Sequence, residues 1–191
     1  MAQLTHVRYT PRLTLRPFAL TDLDDLTIIY QHEEICRYLY WDPRDRAASL
    51  AALEKSVQRP IDIVDDNVLN VAVTIKGTNR VIGDFMLRWM KNEHRQGEIG
   101  GSLHPEFHHQ GFASEVYTEL LVIGFTLYEL HRIVGRCDAR NAASVRSLER
   151  VGLREEAHFI ENEFVKGEWT DEIVMAIRKS EWAPRPNARE A

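Results

Sequence analysis

The sequence predicts an α/β or α+β fold with a single central sheet. Three observations carry this expectation. Short runs alternate polar and apolar residues or are rich in β-branched side chains. Longer runs repeat apolar residues at helical spacing. The two kinds interleave in the order β-α-α-β-β-β-α-β-α-β-β. At 191 residues the chain is most economically one domain, expected over residues 1–182, with enough length to bury a substantial core.

Arg12-Leu13-Thr14-Leu15-Arg16 alternates as a half-buried strand does, and Pro17 closes it. Thr21 is expected to cap a helix, with Asp24 three residues on and Leu23, Leu26, Ile29 and Tyr30 as its apolar stripe. After the break at Asp42-Pro43, residues 47–58 form a second helix with Leu50, Leu53 and Val57. Residues 59–67 are a polar connection. Residues 68–75 and 81–90 are strands joined by a turn containing Gly77, and 91–96 is a polar loop. Residues 98–103 form the next strand, where Gly100-Gly101 suggests a bulge or a close backbone approach. Residues 115–128 are the long helix, 132–137 a strand, and 141–151 a short helix capped by Gly152. Residues 159–164 and 172–177 make a hairpin around Lys166-Gly167. The tail 183–191, with two prolines, is expected to be disordered.

Composition narrows the function. A net charge of -5 without a long single-sign run argues against nucleic-acid binding as the main task. No stretch approaches the roughly 20 apolar residues of a membrane span, and residues 1–10 lack a signal-peptide core. The two cysteines, Cys36 and Cys137, stand in unrelated contexts, so a cytoplasmic protein without disulfides is expected. His104 and His108 are four apart, but Pro105 disfavours a helix there and no further ligands complete a set, so no metal is expected.

The most informative stretch is His108-His109-Gln110-Gly111-Phe112-Ala113-Ser114-Glu115, between the strand 98–103 and the long helix. Strand, glycine-containing loop and helix in that order build an anion site. The first amides of a helix lack intrahelical partners and the dipole adds partial positive charge there. Gly111 permits positive φ and Ala113 keeps the rim low, so a diphosphate fits across the loop.

That loop belongs to an ordered set: Arg12-Leu13-Thr14-Leu15-Arg16-Pro17-Phe18, Val81-Ile82-Gly83, Glu98-Ile99-Gly100 and His104-Pro105-Glu106-Phe107. It continues through Gln110-Gly111-Phe112-Ala113-Ser114-Glu115, Leu130-His131-Arg132, Asn141-Ala142-Ala143-Ser144, Glu149-Arg150-Val151-Gly152-Leu153, Glu155-Glu156 and Gly167-Glu168-Trp169-Thr170-Asp171. Over residues 10 to 182 the chain resembles the GNAT acetyltransferases, and within them the branch containing ribosomal-protein alanine N-acetyltransferases. The resemblance implies a mixed, mostly antiparallel sheet with a splayed, bulged strand and helices on both faces. It implies direct acetyl transfer from acetyl-CoA to a primary amine, and a homodimer is common in that branch.

It also implies residue roles. The diphosphate would lie on His108, His109, Gln110, Gly111, Phe112, Ala113 and Ser114, and the pantetheine would pair with the strand ending at Leu103, with Asn141 and Ser144 beside it. Ser144 is expected to supply a proton to the departing thiolate. Glu163 is expected to serve as general base, with Glu98 its rival. Trp41, Gly101 and Ser102 are expected to line the acceptor pocket. The chain departs from its relatives at His108 (usually Gln or Arg), at His104 (often Asp), at Ala157 (frequently Gly) and at Gly101-Ser102, where an aromatic pair is common. The last predicts a roomier or differently shaped acceptor end. Cys137, in an apolar strand, is expected in the core.

An amine nucleophile must be unprotonated. A terminal α-amine, with pKa about 8, needs less help than a lysine at about 10.4. Three readings follow: a protein N-terminal amine acetyltransferase, the leading expectation; a small-molecule amine acetyltransferase acting on a polyamine, amino acid derivative or aminoglycoside; and a non-catalytic acyl-CoA-binding module. A closed, acidic pocket favours a small polycation, and an open cleft favours a peptide.

Overall fold

A computed structural model describes residues 7–58 and 68–183. The expectations for the connection 59–67 and for most of the tail lie outside the described residues. Eight strands form one sheet in the order β1-β2-β3-β4-β5-β6-β8-β7. They are β1 (Arg8–Tyr9), β2 (Leu13–Arg16), β3 (Val68–Ile75), β4 (Val81–Lys91), β5 (Gln96–Leu103), β6 (Arg132–Asp138), β7 (Arg154–Val165) and β8 (Glu168–Arg178). Neighbouring strands run antiparallel except β5 and β6, which run parallel. The helices are α1 (Leu23–Gln31), α2 (Glu33–Cys36), α3 (Arg46–Gln58), α4 (Phe112–Val122) and α5 (Ala142–Arg150).

Side-chain period decides what each element buries. On β2, Leu13 and Leu15 are buried while Thr14 and Arg16 are not, and Leu15 joins the main core with Phe85, Val116, Leu120 and Phe125. That core lies under α4 and α5. A second, smaller cluster joins Leu26, Ile29 and Tyr30 of α1 and Leu53 of α3 to Ala72 and Val81 of the sheet. The sheet is thus covered on both faces.

Several local expectations are corrected. Thr21 does not cap the first helix. The chain enters it through a 3-10 turn, Leu20–Asp22, and the buried Asp22 carboxylate accepts the Ala19 amide at 2.8 Å. Asp22 also forms a two-pronged pair with Arg16, both bonds 2.7 Å, and Asp beats Thr here because it can hold that guanidinium. The long helix starts at Phe112, three residues earlier than expected, because Gly111 takes φ 78° and stands as its N-cap. It ends in a wider π-helical segment, Ile123–Leu127, where the Tyr128 amide reaches back to the Ile123 carbonyl at 3.2 Å. Gly124 lets that segment close on β6: a Cβ there would lie 2.6 Å from Ile133.

The bulge expected at Gly100-Gly101 is absent. Those residues pair in unbroken register with Met86 and Phe85, and the shift on that ladder falls at Trp89/Lys91. The alternative reading, close approach, holds: a Cβ on Gly101 would sit 2.4 Å from the Phe85 ring and 2.7 Å from the Asp84 carbonyl.

Candidate active site

The sheet opens at its midline. β5 and β6 pair over only three rungs, Gln96↔Arg132, Gly97↔Ile133 and Glu98↔Val134. Beyond Glu98, β6 continues alongside β8 to the Asp138↔Glu172 pair. The arms Ile99–Leu103 and Gly135–Asp138 therefore diverge as a V. Past the fork β5 keeps ladder bonds to β4 on one side, and its other edge faces the gap. Such an edge accepts an extended chain as an added strand. The splay inferred from sequence exists, but it comes from this divergence and not from a bulge.

Two connected chambers occupy the V. The first, about 390 Å³, is lined by Leu103, His108, His109, Gly111, Phe112, Ala113 and Ser114 on one side, and by Asn141, Ser144, Arg146 and Arg150 on the other. The loop is held by its own bonds. His104 Nδ1 accepts the Glu106 amide at 3.2 Å, and His108 Nε2 lies 2.7 Å from the Leu103 carbonyl, so that nitrogen carries the proton and donates. Arg12 braces it from outside, stacking on Phe112 at 4.3 Å, donating to the Gln110 carbonyl at 2.9 Å and pairing with Glu115 at 2.7 Å. The first intrahelical bond of α4 runs from the Glu115 amide to the Gly111 carbonyl, so the preceding amides stand clear of the helix ladder at the chamber wall. Nine of the ten residues expected at the cosubstrate line this chamber. Gln110 does not. Its side chain turns back to the Glu106 carbonyl at 2.9 Å and supports the loop.

The residues present fit a phosphate-bearing acyl carrier. The helix N-terminus and two arginines of α5 suit a diphosphate, and the free edge of β5 suits the amides of a pantetheine arm.

The second chamber, about 580 Å³, shares Gly101, Ser102, Tyr117, Asn141 and Ser144 with the first. Asn141 caps α5 by accepting the Ser144 amide at 3.1 Å while also facing both chambers. Cys137 packs on the core yet lines the second chamber, as Ser144 does, so the core-only expectation for this cysteine is corrected. Burial holds the Cys137 thiol protonated, pushed up to about 11.

Glu98 and Glu163 both line this chamber. Glu98 sits on the last rung before the fork. Burial pushes its carboxyl above the usual carboxylate range, against the pull of Arg136 and Arg88. Glu163 comes from β7 through a bulge between Phe159 and Glu163, where three residues oppose one on β8. Bulges re-aim side chains in this way. Both Glu163 oxygens accept from the Tyr40 hydroxyl, at 2.9 and 2.8 Å. Trp41 lines the opposite wall with the Arg44 guanidinium stacked on it at 4.4 Å. Gly101 and Ser102 line the chamber. The Phe85 ring fills the space beneath Gly101.

Sequence reading did not single out Tyr117, Tyr40, Arg37 or Lys166. Tyr117 is buried at the junction of the chambers and reads in sequence as one more apolar position of α4. The other three are ordinary polar residues whose placement depends on long-range packing.

Residues 12–154 match the acetyltransferase (GNAT) domain family. The chain belongs to that family. It is 28% identical over 176 residues to an uncharacterized N-acetyltransferase, p20, of Bacillus licheniformis, covering 92% of this chain and 97% of that one. It is 28% identical over 174 residues to the spermidine N(1)-acetyltransferase of Vibrio cholerae, covering 91% and 97%. A structure of the spermidine N-acetyltransferase from that organism in complex with CoA and spermine has a TM-score of 0.74 at 26% identity, covering 88% and 96%. An acetyltransferase of the GNAT family from Bacillus anthracis has a TM-score of 0.81 at 26% identity, covering 92% and 100%. This GNAT protein is an acetyl-CoA-dependent N-acetyltransferase.

Proposed function

We propose that the acceptor is a small primary amine. One observation carries this reading: the second chamber, about 580 Å³, is of small-ligand size, with Glu98 and Glu163 on its wall. The named spermidine enzyme among the relatives supports the same class. The leading sequence expectation, a protein N-terminal α-amine, becomes the second reading. An exposed apolar rim, with Tyr40, Phe164 and Trp169 each at least 60% exposed beside the chamber, favours it, as does a fold likeness at 18% identity to a proposed ribosomal-protein-serine acetyltransferase.

In this reading acetyl-CoA supplies the acyl thioester, and the chain's residues do the rest. His108 to Ser114 and the α5 arginines hold phosphates, and the free edge of β5 aligns the carrier arm along the fork. Glu98 takes the proton of the incoming ammonium, because a carboxylate raised by burial is a better base than an exposed one. Glu163, which accepts from the Tyr40 hydroxyl, orients the amine. Ser144 donates a hydrogen bond to the departing sulfur. Cys137, held as a thiol, does not act as a rival nucleophile.

The test is CoA release, read with a thiol reagent, across short peptides with free N-termini, polyamines, amino acids and aminoglycosides. Turnover on a small amine and not on peptides is the expected result. Turnover confined to peptides overturns the reading.

A further inference from the structure

One side chain in the acceptor region occupies a conformation that costs it something. β7 and β8 are joined by the two-residue turn Lys166-Gly167, with φ 51° and 86°. Two positive φ values in a two-residue hairpin loop define a type I′ turn, whose first position favours Asn, Asp or Gly. Lysine is a poor choice there, since a Cβ at positive φ crowds the backbone.

Its ammonium has a long-range task. Lys166 Nζ donates to the Cys36 carbonyl at 2.6 Å, across 130 residues of sequence, and lies 3.7 Å from Asp42 Oδ1. The same carbonyl accepts the Leu39 amide at 3.0 Å, so the lysine fastens the end of α2 where the chain turns into residues 37–41. Those residues line the acceptor chamber, Arg37 to Leu39 bordering the cosubstrate chamber as well and Tyr40 and Trp41 not, and Glu163 and Val165 of the hairpin line the acceptor chamber too. The Tyr40–Glu163 contact joins the same two segments. Strained residues that persist are held by their surroundings and mark functional hypotheses.

We infer that Lys166 is a positioning residue that clasps the wall 37–41 to the β7–β8 turn and thereby sets which amines the chamber admits. The lysine touches neither acceptor nor cosubstrate. It acts by fixing Tyr40 and Trp41 relative to Glu163. The kinetic side of this inference rests on the small-amine reading above; the clasp itself does not.

Lys166→Gly tests it cleanly, because glycine suits the turn and the hairpin should fold at least as well. With the best amine found, the acceptor KM should rise about tenfold, the scale of one lost charged hydrogen bond. The KM for acetyl-CoA should stay within about twofold, and bulkier amines should gain relative to small ones. Lys166→Arg, which keeps the cation, should retain most of the wild-type acceptor KM. Hydrogen–deuterium exchange, needing no substrate, should quicken over residues 37–42 in Lys166→Gly and nowhere else. An unchanged acceptor KM, a parallel rise in the KM for acetyl-CoA, or unchanged exchange over 37–42 overturns the inference. Should the wild-type protein acetylate no small amine, the acceptor reading fails, and the exchange experiment alone decides the clasp.

Discussion

The chambers on either side of Tyr117 are built from different materials. The cosubstrate side is mostly backbone: a free strand edge, a left-handed glycine, and the first amides of α4, braced within one continuous stretch, residues 103–115. The acceptor side is mostly side chains, brought from the chain after α2, from β3, β4, β5 and β6, and from β7. Backbone sites tolerate drift in side-chain identity, since every residue carries the same amide. Side-chain sites change with each substitution. The contrast explains how one carrier can serve a family whose acceptors differ.

The contrast can be broken by experiment, beginning with the largest effect. Glu98→Gln should lower kcat about 10²-fold or more, with CoA affinity by calorimetry unchanged. If Glu163→Gln shows the larger loss instead, the proton goes to the hairpin. The base must be ionised to work, and the Glu98 carboxyl is raised by burial, so activity should fall with decreasing pH from above the ordinary carboxylate range. The acidic limb of kcat/KM should vanish in Glu98→Gln.

Next is Gly111→Val. A β-branched residue at φ 78° is disfavoured by about 1–2 kcal/mol, and its Cβ would sit 3.6 Å from the Arg12 guanidinium that braces the loop. CoA affinity should drop about tenfold while the KM for the amine changes little. An equal loss in both would mean that the two sides are not separable.

A smaller effect concerns the brace behind the loop. Burial alone would raise the Glu115 carboxyl, but bonds from Thr10 and from the amide and guanidinium of Arg12 outweigh it, leaving it below the usual range. A depressed folded-state pKa gives stability that is present above the unfolded value near 4.5 and lost as pH falls through the folded one. Glu115→Gln should therefore cost about 1–3 kcal/mol in urea unfolding at pH 7 and progressively less in acid. Smallest is Tyr40→Phe. With Tyr40 67% exposed, its loss should cost at most about 1 kcal/mol of stability. It should still shift the acceptor KM severalfold by freeing Glu163.

The same division governs how much could be read from sequence. β3 was legible to the residue because residues 68–75 are rich in β-branched side chains, a signal stated locally. The cosubstrate loop was legible because its chemistry is contiguous, although the helix start was placed at Glu115 and not at Phe112, since glycine as an N-cap leaves a weak signal. Thr21 misled because its rival, Asp22, is favoured by Arg16 through a contact that only the folded chain makes. On the acceptor side, Glu98 and Glu163, expected as bases, and Trp41, expected at the acceptor, all line the second chamber, but nothing local tells which residues they meet there. The partnership of Tyr40 with Glu163 spans 123 positions and has no local trace. Gly101 showed the limit most plainly. Nothing near Gly101 in the chain tells that the Phe85 ring, 16 positions upstream, lies where its Cβ would reach.

Three rungs between β5 and β6 are a short seam for a sheet of eight strands. The protein is close to two half-sheets stitched at one end, and a carrier lying in the open part of the V serves as further stitching. A carrier that paired with the β5 edge there would tie the halves together as well as being held. Resistance to heat then becomes a function of carrier supply, rising by roughly 2.7 kcal/mol at a hundredfold excess over Kd. A cell depleted of coenzyme A would hold a looser version of this enzyme as well as an idle one.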